Sequence, residues 1–123
     1  MYALKGKKNI GELFIKGKRW GSYPLIAMEI KNSVNLTRCG VSVPKKRVHL
    51  AVRRNRLKRQ IREAIRVHQL KMHQLENNYD MMWTYIGSAS SCEFDAIQRS
   101  VHVIIKKIRE NEKKENNRNS NRS

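Results

Sequence analysis

VRRNRLKRQIREAIR, from Val52 to Arg66, is the stretch that decides how this chain is read. Set on a helix at about 100° per residue, Leu57, Ile61, Ala64, Ile65 and His68 fall within one arc. Asn55, Lys58, Arg59, Arg62 and Arg66 gather on the opposite side. One face packs, and the other is a cationic ridge. Like charges one helical turn apart repel by roughly a few tenths of a kcal/mol per pair, a cost with no return in stability, and a polyanion laid on the ridge removes it. A merely solvated face mixes signs, with Glu placed one turn before Lys. Here Glu63 is the only acid between Lys45 and Arg66, against Lys45, Lys46, Arg47, Arg53, Arg54, Arg56, Lys58, Arg59, Arg62 and Arg66.

The whole chain carries the same bias. Its 123 residues hold 27 basic and 10 acidic side chains, a formal net charge of +17. That length makes one small domain with a modest core. The charge opposes compaction and draws the chain to polyanions by counterion release, nucleic acid first and an anionic membrane second. No window approaches the roughly 18 consecutive apolar residues of a membrane span. The opening MYALKGKKNIGE lacks the apolar core of a signal peptide, so the expected compartment is the cytoplasm. Cys39 and Cys92 then read as reduced packing residues. His49, His68, His73 and His102 lack ligand-pair spacing, and no metal site is expected.

Outward from the basic helix, the flanks read as alternating elements. Asn9 and Glu12 form a capping signal for a short first helix with Ile10, Leu13 and Phe14 on one face, ended by Gly17. Lys16, Lys18 and Arg19 sit where a helix C-terminus favours cations. Trp20 to Pro24 reads as a loop, Leu25 to Ile30 as an apolar strand, and Cys39, Val41 and Val43 as alternate residues of a second, closed by Pro44. A hairpin is the simplest joining of the two. The basic helix should run to about Met72, before turn chemistry at Asn77 and Asn78, and Met81 to Ile86 reads as a further strand.

Ser90 and Glu93 make a capping box for a last helix, packed through Phe94, Ile97, Val101, Ile104, Ile105 and Ile108. Beyond it lie only polar residues, so 109–123 reads as a disordered basic tail on a domain of residues 1–108. The order predicts a single α+β sandwich of about four strands and about three helices.

No catalytic residues are expected in the chain itself. Phosphodiester hydrolysis by side chains needs clustered metal-binding carboxylates, a His pair, or a nucleophile with its base. The acids show no DxD, DxE or ExxH spacing, and Glu93 and Asp95 stand close at a helix start where the dipole favours them. No Gly-rich phosphate loop is present. A helix-turn-helix, finger or zipper pattern is missing, as are the common RNA-module signatures. Residue chemistry alone therefore stops at a nucleic-acid-binding module, with ribosomal RNA, another RNA and DNA all open as targets.

AVRRNRLKRQIREAIR, Ala51 to Arg66, resembles the signature of the bacterial ribonuclease P protein component through Arg54, Asn55, Arg56, Lys58, Arg59, Arg62 and Glu63. GVSVPKK (Gly40 to Lys46) resembles the strand and Lys-Lys before it, ELFIKGKRW (Glu12 to Trp20) the family's first helix, and EFDAIQRSVHVIIKKI its last. The resemblance implies a mixed sheet with a left-handed βαβ crossover carrying the basic helix. It also implies that the chain is one subunit of a ribozyme that removes the 5′ leader of precursor tRNA. The catalyst is then the partner RNA with its Mg²⁺ ions, no cofactor is held by the protein alone, and no protein partner or membrane is required.

Carried over residue by residue, the RNA-subunit contacts are Arg54, Asn55, Arg56, Lys58, Arg59 and Arg62, with Lys45, Lys46 and Arg53 as phosphate neighbours. Glu63 is expected to order neighbouring guanidiniums. The leader is expected in a cleft between the first helix and the sheet, on aromatic platforms worth about 1–3 kcal/mol per stacked base. Phe14 falls on such a position, and Ile10 and Met28 replace usual aromatics, so either leader stacking is weaker here or Trp20 or Tyr23 substitutes. A ribosomal or other rRNA-binding protein is the alternative reading.

Overall fold

Strand β5 (Tyr79–Tyr85), YDMMWTY, is covered on both faces, as its unbroken run of large side chains requires. The computed structural model describes residues 2–3, 7–88 and 94–120. Around β5 stand β1 (Tyr2–Ala3), β2 (Lys18–Ser22), β3 (Leu25–Lys31) and β4 (Arg38–Ser42), in the order β1-β4-β5-β3-β2. β5 runs parallel to β4 and antiparallel to β3, so the sheet is mixed. The helices are α1 (Lys7–Lys16), α2 (Ala51–Val67), α3 (Gln69–His73) and α4 (Phe94–Ser120). The architecture is the expected α+β sandwich, with the short β1 and α3 added.

The sheet divides the molecule into two cores of unequal size. On one face Leu25, Ala27, Cys39, Met81 and Trp83 meet Leu57, Ile61, Ala64 and Ile65 of α2 and Ile97, Val101, Ile104 and Ile108 of α4. On the other, Leu13 of α1 covers Met28 and Met82, with Ile10 and Ile30 beside them. The helical residues in the larger core are those the 3.6-residue period marks. Each fully buried Ile or Leu there contributes roughly 1.5–3 kcal/mol. Cys39 is a free, buried thiol whose pKa burial pushes up to about 11. Cys92, like the Ser90–Glu93 capping box, lies outside the described residues.

Strand order is where local pattern and fold part. β3 and β4 form no hairpin, because β5 lies between them. The connecting loop passes the start of β5, where Asp80 accepts from Arg38 Nε at 2.8 Å, Arg38 Nη2 at 2.7 Å and Asn32 Nδ2 at 2.9 Å. A buried carboxylate needs such partners, and here they clamp the loop over the inserted strand. Lys18 to Ser22 is likewise a strand and not a helix end with a loop. It pairs antiparallel with β3 across a turn containing the cis Tyr23–Pro24 bond. As a mostly exposed edge it carries only Trp20 inward against the core, too little for a period-2 signal.

Helix limits also shift. α1 begins at Lys7, so Asn9 lies inside the helix and not ahead of it. Gly17 ends it as expected, because a side chain there would meet the Leu13 carbonyl oxygen at 2.4 Å. The long helix is interrupted at His68, whose Nδ1 lies 2.8 Å from the Ala64 carbonyl oxygen. α4 continues to Ser120, through residues 109–120 where a disordered tail is expected from the sequence. Two acids dock the extension. Glu112, buried, accepts from the backbone N–H groups of Glu76 and Asn77 at 3.0 Å each, and Glu115 bridges Lys18 and Lys31 at 3.0 Å each. Among the described residues no helix is long and apolar enough to cross a membrane.

Candidate nucleic-acid interface

α2 is carried between neighbouring parallel strands, β4 and β5, with its core arc pressed on the sheet side and against α4. That anchoring leaves the opposite arc facing outward. Asn55, Arg56, Lys58, Arg59 and Arg62 line one broad concavity of about 910 Å³ along it, together with Val52, Glu63, Arg66 and Gln69. Among the described residues Arg56, Lys58, Arg59 and Arg62 pair with no carboxylate. Glu63 is committed elsewhere, to a fork with Arg66 at 2.5 and 3.0 Å. That hydrogen bond holds the Glu63 carboxyl below its ordinary pKa, so it stays ionised and neutralises Arg66 alone, leaving the rest of the ridge unpaired among the described residues. Val52 and Gln69 were not singled out from sequence, although both lie on the same stripe by their three- and seven-residue spacing to Asn55 and Arg62.

The remaining basic candidates sit elsewhere. Lys45 and Lys46 are exposed in the turn after β4, where the Arg47 and Val48 N–H groups donate to the Pro44 carbonyl at 3.0 and 3.1 Å. Val48 is buried and pins that turn to the core. Arg54 is half-buried and turned away from the ridge, with Nη1 donating to the carbonyls of Val48 at 3.0 Å and His49 at 2.6 Å. Its first task is to fasten the turn to α2. Arg53, also half-buried, flanks the helix without lining the concavity.

The cleft candidates separate in the same way. Phe14 is 52% exposed on α1, whereas Met28 and Ile10 are packed into the small core beneath that helix. Met28 is thus floor and not platform. Trp20 stands on the other side of the sheet. It registers with Ala27, packs on the larger core, and its Nε1 donates to Glu29 at 3.2 Å. Alternation along β2 gives the α1 face to Arg19 instead, in register with Met28. On that face the row Ile26, Thr84 and Ser42, only half-buried, continues beyond the reach of the Leu13 cluster. These small side chains carry no sequence signal of their own; only strand register reveals them.

Fold and surface together define a small α+β domain that presents an unneutralised cationic helix, a binding partner for a structured polyanion. A family model described as Ribonuclease P matches residues 1–109. The ribonuclease P protein component of Clostridium kluyveri is 33% identical over 107 residues, covering 87% of this chain and 94% of that protein. That of Clostridium botulinum (strain Loch Maree) is 30% identical over 104 residues, covering 85% and 91%. The Staphylococcus aureus RNase P protein structure aligns with a TM-score of 0.72 at 26% identity, over 86% of this chain and 94% of that one. The Thermotoga maritima protein aligns with a TM-score of 0.73 over 88% and 98%, and at 21% identity it speaks for the fold alone. The chain belongs to the ribonuclease P protein family. Its role is that of the protein subunit of an endoribonuclease holoenzyme, partnered with the ribonuclease P RNA.

Proposed function

We propose that α2 docks on the catalytic RNA through Asn55, Arg56, Lys58, Arg59 and Arg62, and that the cleft beside α1 holds the 5′ leader of precursor tRNA. The observation that carries this is the ridge of guanidinium and ammonium groups left without carboxylate partners among the described residues. Arg offers a planar fork for phosphate oxygens, and Asn55 can both donate and accept. Lys45 and Lys46, on the turn that Arg54 and Val48 hold, extend the cationic track toward the sheet. Arg19 at the β2 edge and Phe14 on α1 border the cleft, one for phosphate and one for a base.

Cleavage chemistry then belongs to the RNA and its Mg²⁺, acting in the cytoplasm. The donor set on this surface is cationic, which suits phosphate and not a divalent ion. The protein supplies affinity and position. The test is binding of leader-bearing precursor and of mature tRNA to the RNA subunit with and without this chain, at matched salt. Tightened binding of the precursor alone supports the leader cleft, and equal effects on both tRNAs refute it.

A further inference from the structure

A second cationic surface lies on the far side of α2 from the ridge. Along α4, Arg99, His102, Lys106, Arg109 and Lys113 recur at three- and four-residue spacing, all exposed, and so form one stripe. Lys71 of α3 reaches into it, with Nζ 2.8 Å from His102 Nδ1. The His68 ring, at the end of α2, stands 5.9 Å from the His102 ring. Lys71, Gln74, His102, Lys106 and Arg109 surround a hollow of about 330 Å³, with buried Ile105 beneath.

This is no ordinary solvated face. Among the described residues Lys71, Lys106 and Arg109 form no ion pair, and Glu110 on the flank pairs with none of them. The acids on the other side of the same helix are used: Glu112 on the turn before β5 and Glu115 on Lys18 and Lys31. The Lys71–His102 hydrogen bond does not relieve the repulsion among Lys71, Lys106 and Arg109, and an anion between them does.

We propose that this hollow is a phosphate-binding site for the RNA backbone, a second contact separate from the α2 ridge. Lys71, Lys106 and Arg109 neutralise one phosphodiester, and His102 donates to it. The proposal rests on the reading that the partner is RNA. In the free protein neutral His102 accepts from Lys71, and desolvation by its neighbours first, then the charges of Lys71, His68 and Lys106, lowers its pKa. A bound phosphate reverses that field. His102 then takes up a proton from solvent, and Lys71 turns its ammonium to the phosphate. The groups facing His102 are Lys71 from α3, Gln74 just after it, His68 between α2 and α3, and Lys106 and Arg109 from α4.

The test measures binding of labelled ribonuclease P RNA as a function of NaCl for the wild type, a Lys71→Gln/Lys106→Gln/Arg109→Gln variant, and a ridge variant, Arg56→Gln/Arg59→Gln/Arg62→Gln. Since each lost phosphate contact removes about 0.7–0.9 from the slope of log K against log salt, the hollow variant should flatten that slope by about 1 and bind roughly tenfold more weakly at about 0.15 M salt. His102→Gln should leave the melting curve unchanged and remove the part of the affinity gained between neutral and mildly acidic pH. Unchanged affinity and slope in the hollow variant, with the ridge variant weakened, overturn the second site and leave the RNA-docking reading standing. No change in either variant overturns both.

Discussion

Glu112→Gln removes one charge from the point where α4 is fastened to the turn before β5. The carboxylate is 2% exposed. One oxygen accepts from Glu76 N–H at 3.0 Å, and the other from Asn77 N–H at 3.0 Å, Asn77 Nδ2 at 3.1 Å and the Tyr79 hydroxyl at 2.6 Å. A hydrogen bond to a charged group nets about 1.5–3 kcal/mol. Glutamine keeps one acceptor oxygen but turns an NH₂ on at least one backbone donor, which then loses its partner in a part-buried site. Such effects do not add, so the expected loss is about 2–4 kcal/mol rather than the sum. With a urea m-value of about 1–3 kcal/mol/M for a domain of this size, the midpoint should fall by about 1–2 M in far-UV circular dichroism. Glu110→Gln, on the exposed face, should stay within about 0.5 kcal/mol. A loss below about 0.5 kcal/mol for Glu112→Gln would show that α4 beyond residue 109 is not docked in solution, and the tail reading would return.

Further outcomes follow from the same contacts. Arg59→Ala should weaken binding of the RNA subunit by about 1–3 kcal/mol with the melting temperature unchanged, whereas Arg54→Ala should also lower stability by about 1 kcal/mol, because the Val48 and His49 carbonyls lose their donor; equal stability of the two variants would return Arg54 to the ridge. Phe14→Ala should reduce holoenzyme affinity for precursor but not mature tRNA, and an equal loss for both would place Phe14 in the small core. Glu115 is held down to about 2 by hydrogen bonds from Lys18 and Lys31, so its contribution is present above its unfolded value of 4.5 and lost as pH falls toward 2. Being partly exposed it is small, and Glu115→Gln should cost less than about 1 kcal/mol at neutral pH and progressively less as pH falls through about 2. Glu29 has the opposite sign, its pKa raised above 4.5 chiefly by burial, so Glu29→Gln should stabilise the fold at neutral pH with a gain that fades as pH falls toward 4.5; a destabilised variant would mean that Lys18, Lys31 and the Trp20 N–H outweigh the burial cost.

What the chain discloses by itself is what short-range periodicity encodes. Leu57, Ile61, Ala64 and Ile65 are buried where a 3.6-residue period puts them, as are Ile97, Val101, Ile104 and Ile108 on α4. The outward arc of α2 follows from the same count. Strand order does not, because inserting β5 between β3 and β4 depends on partners such as Asp80 and Arg38, 42 residues apart. The polar edge strand KRWGS looks like a loop because only its pairing with β3 makes it a strand. That pairing also sends Trp20 to the α4 side, so the cleft is bordered by Phe14 and Arg19 and continued by Ile26, Thr84 and Ser42. Arg54 belongs to the family-like motif, yet its place near the core arc makes it a fastening of the preceding turn. Glu112 was invisible for a similar reason: a lone acid in a polar run gains meaning only from backbone donors 35 and 36 residues away.

The central claim is that this chain positions and strengthens an RNA catalyst without performing chemistry itself. Its most direct test is cleavage of precursor tRNA at low Mg²⁺ by the cognate ribonuclease P RNA, with the protein, without it, and with the protein alone. The protein should rescue 5′ leader removal, show no cleavage by itself, and rescue less well as the Arg56→Gln/Arg59→Gln/Arg62→Gln variant. Cleavage by the protein alone, or a folded protein that fails to rescue its RNA, would contradict that claim.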